Sequence, residues 1–161
     1  MESQRSVSSL RVLVVCLGNI CRSPLGEAVL RDAAKRRNLR IQVDSAGTGG
    51  WHVGQPPDRR SIDEAHRRGV DISQQRGRKV QREDLDAFDV LLAMDQQNMK
   101  DLQSLAKNDD ELRKIQLFMP DGREVPDPYH GTMRDFALVF DWAEEAANLW
   151  MEKWSKALRE K

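Results

Sequence analysis

The sequence predicts an α/β fold, a three-layer sandwich built on a four-stranded parallel sheet. Three observations lead there. Four short apolar runs recur along the 161 residues, and each is followed by a stretch with helix signals. The first and third runs are continuously apolar at their centres, as in strands buried on both faces. The alternation of strand and helix implies parallel strands joined by right-handed crossovers.

The elements follow in order. Arg11-Val-Leu-Val-Val-Cys16 is the first strand, and turn formers Gly18 and Asn19 come directly after it. Ser23-Pro24 reads as a helix start, with Ser23 as cap and Pro24 at the first helical position. The helix runs to about Arg37 on an apolar stripe of Ala28, Leu30, Ala33 and Ala34. Ile41 to Ala46 is the second strand, followed by a Gly- and Pro-rich loop to Pro57. Asp58 caps a helix to about Arg68, which Gly69 ends. Phe88 to Met94 is the third strand, and Asp95 caps the next helix, to about Leu105. Ile115 to Phe118 is the fourth strand. Residues 119–133 form a long loop rich in Pro and Gly. From Arg134 onward Phe136, Val139, Phe140, Ala143, Ala147, Trp150 and Trp154 recur at helical spacing. We expect a polar flexible tail over residues 1–9 and a single domain over 10–161.

Composition narrows the functions. Lys plus Arg is 26 and Asp plus Glu is 26, so the formal net charge is zero. That argues against a nucleic-acid or membrane-surface binder, but leaves room for a small local anion site. Two cysteines, Cys16 and Cys21, exclude a disulfide scaffold and a Cys-rich zinc module. No targeting segment is visible: the apolar run Leu10–Leu17 is short and carries Arg11. The expected location is the cytoplasm.

The chemistry concentrates between Cys16 and Ser23. A strand ends, a tight loop turns, and a helix begins at the carboxyl edge of the predicted sheet, where such folds bind ligands. The helix terminus offers unpaired N–H groups and partial positive charge, and a loop curled over it completes an anion cradle. Leu17, Gly18, Asn19, Ile20, Cys21, Arg22 and Ser23 would form this phosphate-binding loop, with positive φ angles at Gly18 and Asn19. Arg22 suits a bidentate grip on phosphate oxygens. Cys16 faces the same hollow, in surroundings that favour a thiolate nucleophile, and Ser23 is placed to hydrogen-bond its sulfur. A cradle with an aligned nucleophile implies phosphoryl transfer through a phosphocysteine. Asp127, stiffened by Pro126 and Pro128, is a carboxyl able to protonate the leaving group and then activate water, although an Asp in such a loop is more often a turn residue.

The segment Val15-Cys-Leu-Gly-Asn-Ile-Cys-Arg-Ser-Pro24 resembles the signature of the low-molecular-weight protein tyrosine phosphatases. The resemblance extends through Asp44-Ser-Ala-Gly47, the Trp51 loop, Ala93-Met-Asp95 and Asp127-Pro-Tyr129. It implies Cys16 as nucleophile, Arg22 as phosphate clamp, Asn19 as loop-shaping residue, Ser23 as thiolate partner and Asp127 as general acid. It implies Trp51 and Tyr129 as walls for the phosphotyrosine ring, a phosphotyrosine-containing protein as substrate, and no metal or cofactor. Cys21 reads either as a small buried thiol or as a redox partner that traps oxidised Cys16 in a reversible disulfide; the resemblance supports the second.

Some positions depart from the pattern. His130 stands where some relatives carry a second tyrosine. Gln75 lies near a position where many relatives have a histidine bonded to the loop asparagine. Ile20 replaces the threonine of relatives that act on phosphoarginine, and an aliphatic side chain there favours an aromatic ester. His52 and His66 read as solvated, and Trp142, Trp150 and Trp154 as helix packing. The competing readings are a thioredoxin-linked arsenate reductase, a protein arginine phosphatase, a non-catalytic phosphate binder and a dinucleotide-binding domain. The first needs further cysteines, and none follows Cys21. The last needs a Gly-x-Gly-x-x-Gly fingerprint, which is absent.

Overall fold

The computed structural model describes residues 9–159. The expected tail therefore lies, except for Ser9, outside the described residues. The chain runs β1 (Leu10–Cys16), α1 (Arg22–Arg36), β2 (Ile41–Gly47), α2 (Arg59–Arg67), α3 (Asp84–Ala87), β3 (Val90–Ala93), α4 (Gln96–Gln103), α5 (Asp109–Arg113), β4 (Ile115–Leu117) and α6 (Met133–Arg159). The strands form one parallel sheet in the order β2-β1-β3-β4.

The burial of β1 explains its unbroken apolar run. Side chains alternate across a strand, so Val12, Val14 and Cys16 enter one core while Leu13 and Val15 enter another. The first core also holds Leu25, Leu30, Phe118, Phe140 and Trp150, and lies between the sheet and helices α1, α2 and α6. The second holds Leu85, Leu91 and Leu102, beneath α3 and α4. Two apolar cores around one sheet make three layers, as the sequence predicts. The register pairs Cys16 with Gly47 and Val15 with both Ala46 and Ala93, so the chain leaves β1, β2 and β3 at nearly one level.

The differences from the sequence reading have local causes. Helices α3 and α5 are too short for any periodicity to register. Strand β3 starts at Val90, because Phe88 ends α3, its N–H bonded to the Asp84 carbonyl. Helix α1 starts at Arg22 without a side-chain cap, so Ser23 lies within its first turn. Its hydroxyl is engaged with the Cys16 sulfur instead. Asp58 and Asp95 do cap their helices, accepting from the N–H groups of Arg60 and Asn98.

The docking of α1 on the sheet depends on Gly26. A Cβ there would meet Met94 Cε at 2.8 Å and Phe118 and Val14 at 3.1 Å. The end of α6 is tied across the same core by the Trp150 indole N–H, which donates to the Phe118 carbonyl at 2.7 Å. Replacing Gly26 with leucine, itself a good helix former, overpacks this contact and is expected to destabilise the fold by about 1–3 kcal/mol. A lower urea midpoint reads this out; an unchanged midpoint would show that α1 stands off the sheet.

Candidate active site

The loop after β1 takes its shape from bonds that pull its carbonyls outward. Thr48 N–H donates to the Cys16 carbonyl and Gly49 N–H to that of Leu17, both at 2.9 Å. Asp58 N–H holds the Ile20 carbonyl at 2.8 Å, and the Ser61 hydroxyl holds that of Cys21 at 3.2 Å. A trans peptide points its N–H opposite to its C=O. The N–H groups of Leu17, Gly18, Cys21 and Arg22 are therefore turned away from these donors, to the inner side of the loop. Among the described residues no acceptor takes the N–H of Gly18, Asn19, Ile20 or Cys21. The loop also passes close over β2: a Cβ on Gly47 would meet the Leu17 oxygen at 2.8 Å.

Asn19 is the pivot. It is buried, with φ 58°, the left-handed region that asparagine tolerates better than most residues. Gly18, expected to share that conformation, does not adopt it; its missing side chain makes room for the His52 ring, 3.1 Å from where a Cβ would stand. The Asn19 Oδ1 accepts from Arg78 N–H at 3.0 Å, which orients the amide. Its Nδ2 then donates to Ser23 Oγ at 2.8 Å and to Ser45 Oγ at 3.0 Å. The Ser45 hydroxyl in turn donates to Oε1 of buried Glu27, at 2.6 Å. Because Ser23 Oγ accepts from Asn19, its proton is free for Cys16 Sγ, 3.0 Å away. Ser23 N–H also reaches that sulfur, at 3.4 Å. Gln75 does not join this network; its amide donates to the Pro24 carbonyl at 3.1 Å, and the Arg78 backbone serves Asn19 in its place.

Arg22 is buried to 2 % exposure, yet charged. Burial opposes its charge, while Cys16, Asp95 and Asp127 more than compensate and push its pKa up. Its Nη1 donates to Asp95 Oδ2 at 2.7 Å and to the Val125 carbonyl at 2.9 Å. Among the described residues the buried Nε has no partner, and Nη2 lies 3.8 Å from Asp127 Oδ2. Two donors thus remain for a ligand on the cysteine side. Asp95 is a functional residue that helix-cap reasoning understated. One carboxylate oxygen caps α4 and the other holds Arg22; the Ala93-Met-Asp95 match was its only signal.

A cavity of about 220 Å³ opens above the loop. Cys16, Ile20 and Arg22 line its floor side, and Trp51, Asp127 and Tyr129 line it from the two long loops. His52 and His130 line it as well, so His52 belongs to the site rather than to a solvated surface. His66, on α2, is exposed and is not among the residues lining the cavity. Trp51 is 68 % exposed and Tyr129 43 % exposed, so both present apolar surface without filling a core. Trp150 and Trp154 instead stack on each other within α6, at 5.1 Å. Cys21 is buried against Ile20 and Phe136, and both cysteines are free thiols. Burial, then the charges of Asp58, Cys16 and Asp127, push the Cys21 thiol well up.

A parallel α/β sheet whose first strand delivers a free cysteine into an uncapped, N–H-lined loop with an arginine at its end defines a cysteine-dependent phosphatase. The profile of the low molecular weight phosphotyrosine protein phosphatases matches residues 11–161, and the chain belongs to that family. It is 42% identical over 127 residues to the low molecular weight protein-tyrosine-phosphatase YfkJ of Bacillus subtilis, covering 75% of this chain and 81% of that protein. The fold superposes with a TM-score of 0.87 on the crystal structure of a protein tyrosine phosphatase from Entamoeba histolytica with Hepes in the active site, at 34% identity over 92% of this chain and 98% of that one. Wzb of Vibrio vulnificus, solved in complex with benzylphosphonate, gives 0.82 at 30% identity, over 89% of this chain and 98% of that one.

The two thiols sit in opposite environments. Both line the cavity, but the Cys16 sulfur is bonded to Ser23, whereas Cys21 packs against Ile20 and Phe136 with its thiol kept neutral. Iodoacetate at neutral pH is expected to alkylate Cys16 alone, and inorganic phosphate to protect it, as peptide mass mapping would show. Equal labelling of Cys21 would contradict this difference.

Proposed function

We propose that this chain, acting as a single catalytic domain over residues 10–161, hydrolyses phosphotyrosine in proteins through a phosphocysteine on Cys16. The carrying observation is the setting of the Cys16 sulfur: a serine hydroxyl and N–H on it, and free arginine donors beside it. The phosphate would rest on the inward N–H groups of residues 17–22 and on Arg22 Nε and Nη2, which neutralise its equatorial oxygens. Trp51 and Tyr129 would flank the tyrosine ring from the two sides of the mouth, and Ile20 would touch it from below.

Cys16 Sγ attacks phosphorus as a thiolate, the P–O bond to the phenol breaks, and Asp127 gives its proton to the departing oxygen. Water then attacks phosphorus, Asp127 takes one of its protons, the P–S bond breaks, and the sulfur leaves as a thiolate. The Ser23 hydroxyl supports the sulfur's charge at the start and again at the end. No step calls on a metal or cofactor, so turnover in EDTA is expected.

Cys16→Ser should abolish hydrolysis of p-nitrophenyl phosphate, and undiminished turnover would reject the mechanism. Asp127→Ala should slow phenyl phosphate by about 10²–10⁴-fold and p-nitrophenyl phosphate much less, because the better leaving group needs less protonation. Equal losses would remove Asp127 from the acid role, and faster turnover of phosphoarginine than of phosphotyrosine would replace the substrate.

We assign Cys21 a protective redox role: hydrogen peroxide oxidises Cys16 to a sulfenic acid, which condenses with the Cys21 thiol to a disulfide, releasing water. The wild type inactivated by peroxide should recover activity with dithiothreitol, and Cys21→Ser should recover much less. Equal recovery would sink this role. Two free thiols in so small a chain support a reducing compartment such as the cytoplasm, and among the described residues no helix is long and apolar enough to cross a membrane.

A further inference from the structure

The segment from Asp58 to Ser61, at the start of α2, touches both loops of the site. On one side it holds the phosphate loop, through Asp58 N–H on the Ile20 carbonyl at 2.8 Å and the Ser61 hydroxyl on that of Cys21 at 3.2 Å. On the other side Arg60 reaches the loop that carries Asp127. Its Nη2 donates to the Tyr129 carbonyl at 2.8 Å and its Nη1 to the Gly131 carbonyl at 3.3 Å.

The guanidinium is fixed in that pose from three directions. Asp58 takes it through two oxygens, Nε to Oδ1 and Nη2 to Oδ2, both at 3.0 Å. The same Oδ1 caps α2 at the Arg60 N–H. The plane lies over the buried Phe136 ring at 4.4 Å and beside the Tyr129 ring at 5.7 Å. A bidentate pair on an aromatic face costs little further side-chain freedom when it binds the loop.

Before Asp127 the loop is held by Val125, whose N–H donates to the Met94 carbonyl at 2.8 Å and whose carbonyl accepts from Arg22 Nη1 at 2.9 Å; after Asp127, Arg60 makes the hydrogen bonds that tie residues 129–131 to the rest of the fold. Residues 119–132 carry no helix or strand, and Asp127 is 43 % exposed, bonded to Tyr129 N–H at 3.1 Å and facing Arg22 Nη2 at 3.8 Å. The Tyr129 carbonyl that Arg60 holds is two residues from Asp127, and the Tyr129 N–H on the same residue holds Asp127 itself. A shift of that residue moves the carboxyl directly.

We infer that Arg60, braced by Asp58, is a positioning residue for proton transfer: it ties the Asp127 loop to the phosphate loop and fixes the distance between Asp127 and the leaving oxygen. This rests on the acid role given to Asp127. Arg60 is not among the residues lining the cavity, so its effect is confined to what depends on Asp127's placement. A displacement of the order of 1 Å in a catalytic group costs up to about a hundredfold.

The test compares two substrates. Arg60→Met keeps the apolar stem on Phe136 and removes the guanidinium. Its kcat/KM for phenyl phosphate should fall about ten- to a hundredfold, and that for p-nitrophenyl phosphate by much less. Inhibition by inorganic phosphate should be unchanged, since the phosphate loop keeps its Asp58 and Ser61 bonds. On an Asp127→Asn background the same substitution should cost nothing more. Equal losses on both substrates, weakened phosphate inhibition, or a further loss on the Asp127→Asn background would overturn the proposal. Asp58→Asn keeps the helix cap and loosens only the ion pair. It should give the same selective loss in smaller degree, and it decides the matter if Arg60→Met fails to fold. Asp127→Asn alone separates the two failures. Without leaving-group selectivity there, the acid role and the positioning role fall together. With it, and with none in the Arg60 and Asp58 variants, only the positioning role falls.

Discussion

The hydrogen bonds of the Asn19 side chain hold the rest of the site in order. An anion cradle requires backbone N–H groups that face inward and stay unbonded, yet buried unbonded groups are costly. The chain meets both demands by anchoring the outward carbonyls to the neighbouring loops and the inner side chain to itself. Asn19 bridges Ser23, Ser45 and the Arg78 backbone, so the loop after β1 is fastened to α1, to β2 and to the segment before α3 at one residue. The same amide directs the Ser23 proton toward Cys16. The left-handed backbone at residue 19 and the chemistry at residue 16 are consequences of one side chain.

The charges are arranged around a similar economy. Arg22 is buried and would be expensive to ionise alone. Asp95 bonds one nitrogen, and Cys16 and Asp127 lie near enough to favour the cation, so the guanidinium is held with two donors directed away from Asp95. Zero net charge is compatible with a local anion site, because the positive potential there is built from one arginine and oriented peptide dipoles rather than from a basic surface. The neighbouring Cys21 faces the opposite environment, apolar and near carboxylates. Burial and those carboxylates keep the Cys21 thiol protonated.

Much of the fold was legible from β1 alone. A strand with no polar alternation must be covered on both faces, and the helix stripes in the sequence supply the covers. The caps at Asp58 and Asp95 were legible for the same reason, since side-chain caps act within three residues. Ser23 carries two readings in the sequence, helix cap and thiol partner; one hydroxyl cannot serve both, and it lies 3.0 Å from the Cys16 sulfur without capping α1. The short helices α3 and α5 carried no periodic signal, and the fold of residues 119–132 depends on contacts with α2 and α6 that no local pattern encodes.

What the sequence determined by itself is the chemistry: Cys16, Arg22 and Ser23 lie within eight residues, and a strand-loop-helix segment of that length has few ways to arrange them. What the tertiary structure alone decided is everything that meets the loop from afar. Asp95, Asp127, His52, Arg78 and Arg60 come from five other segments, and Gln75 turns to Pro24 instead of Asn19. Those placements follow from the parallel register that brings β1, β2 and β3 out at one edge, and from side-chain packing across two cores. Sequence separation carries no information about such contacts, because the energy that selects them is released only when the whole sheet and its covering helices close.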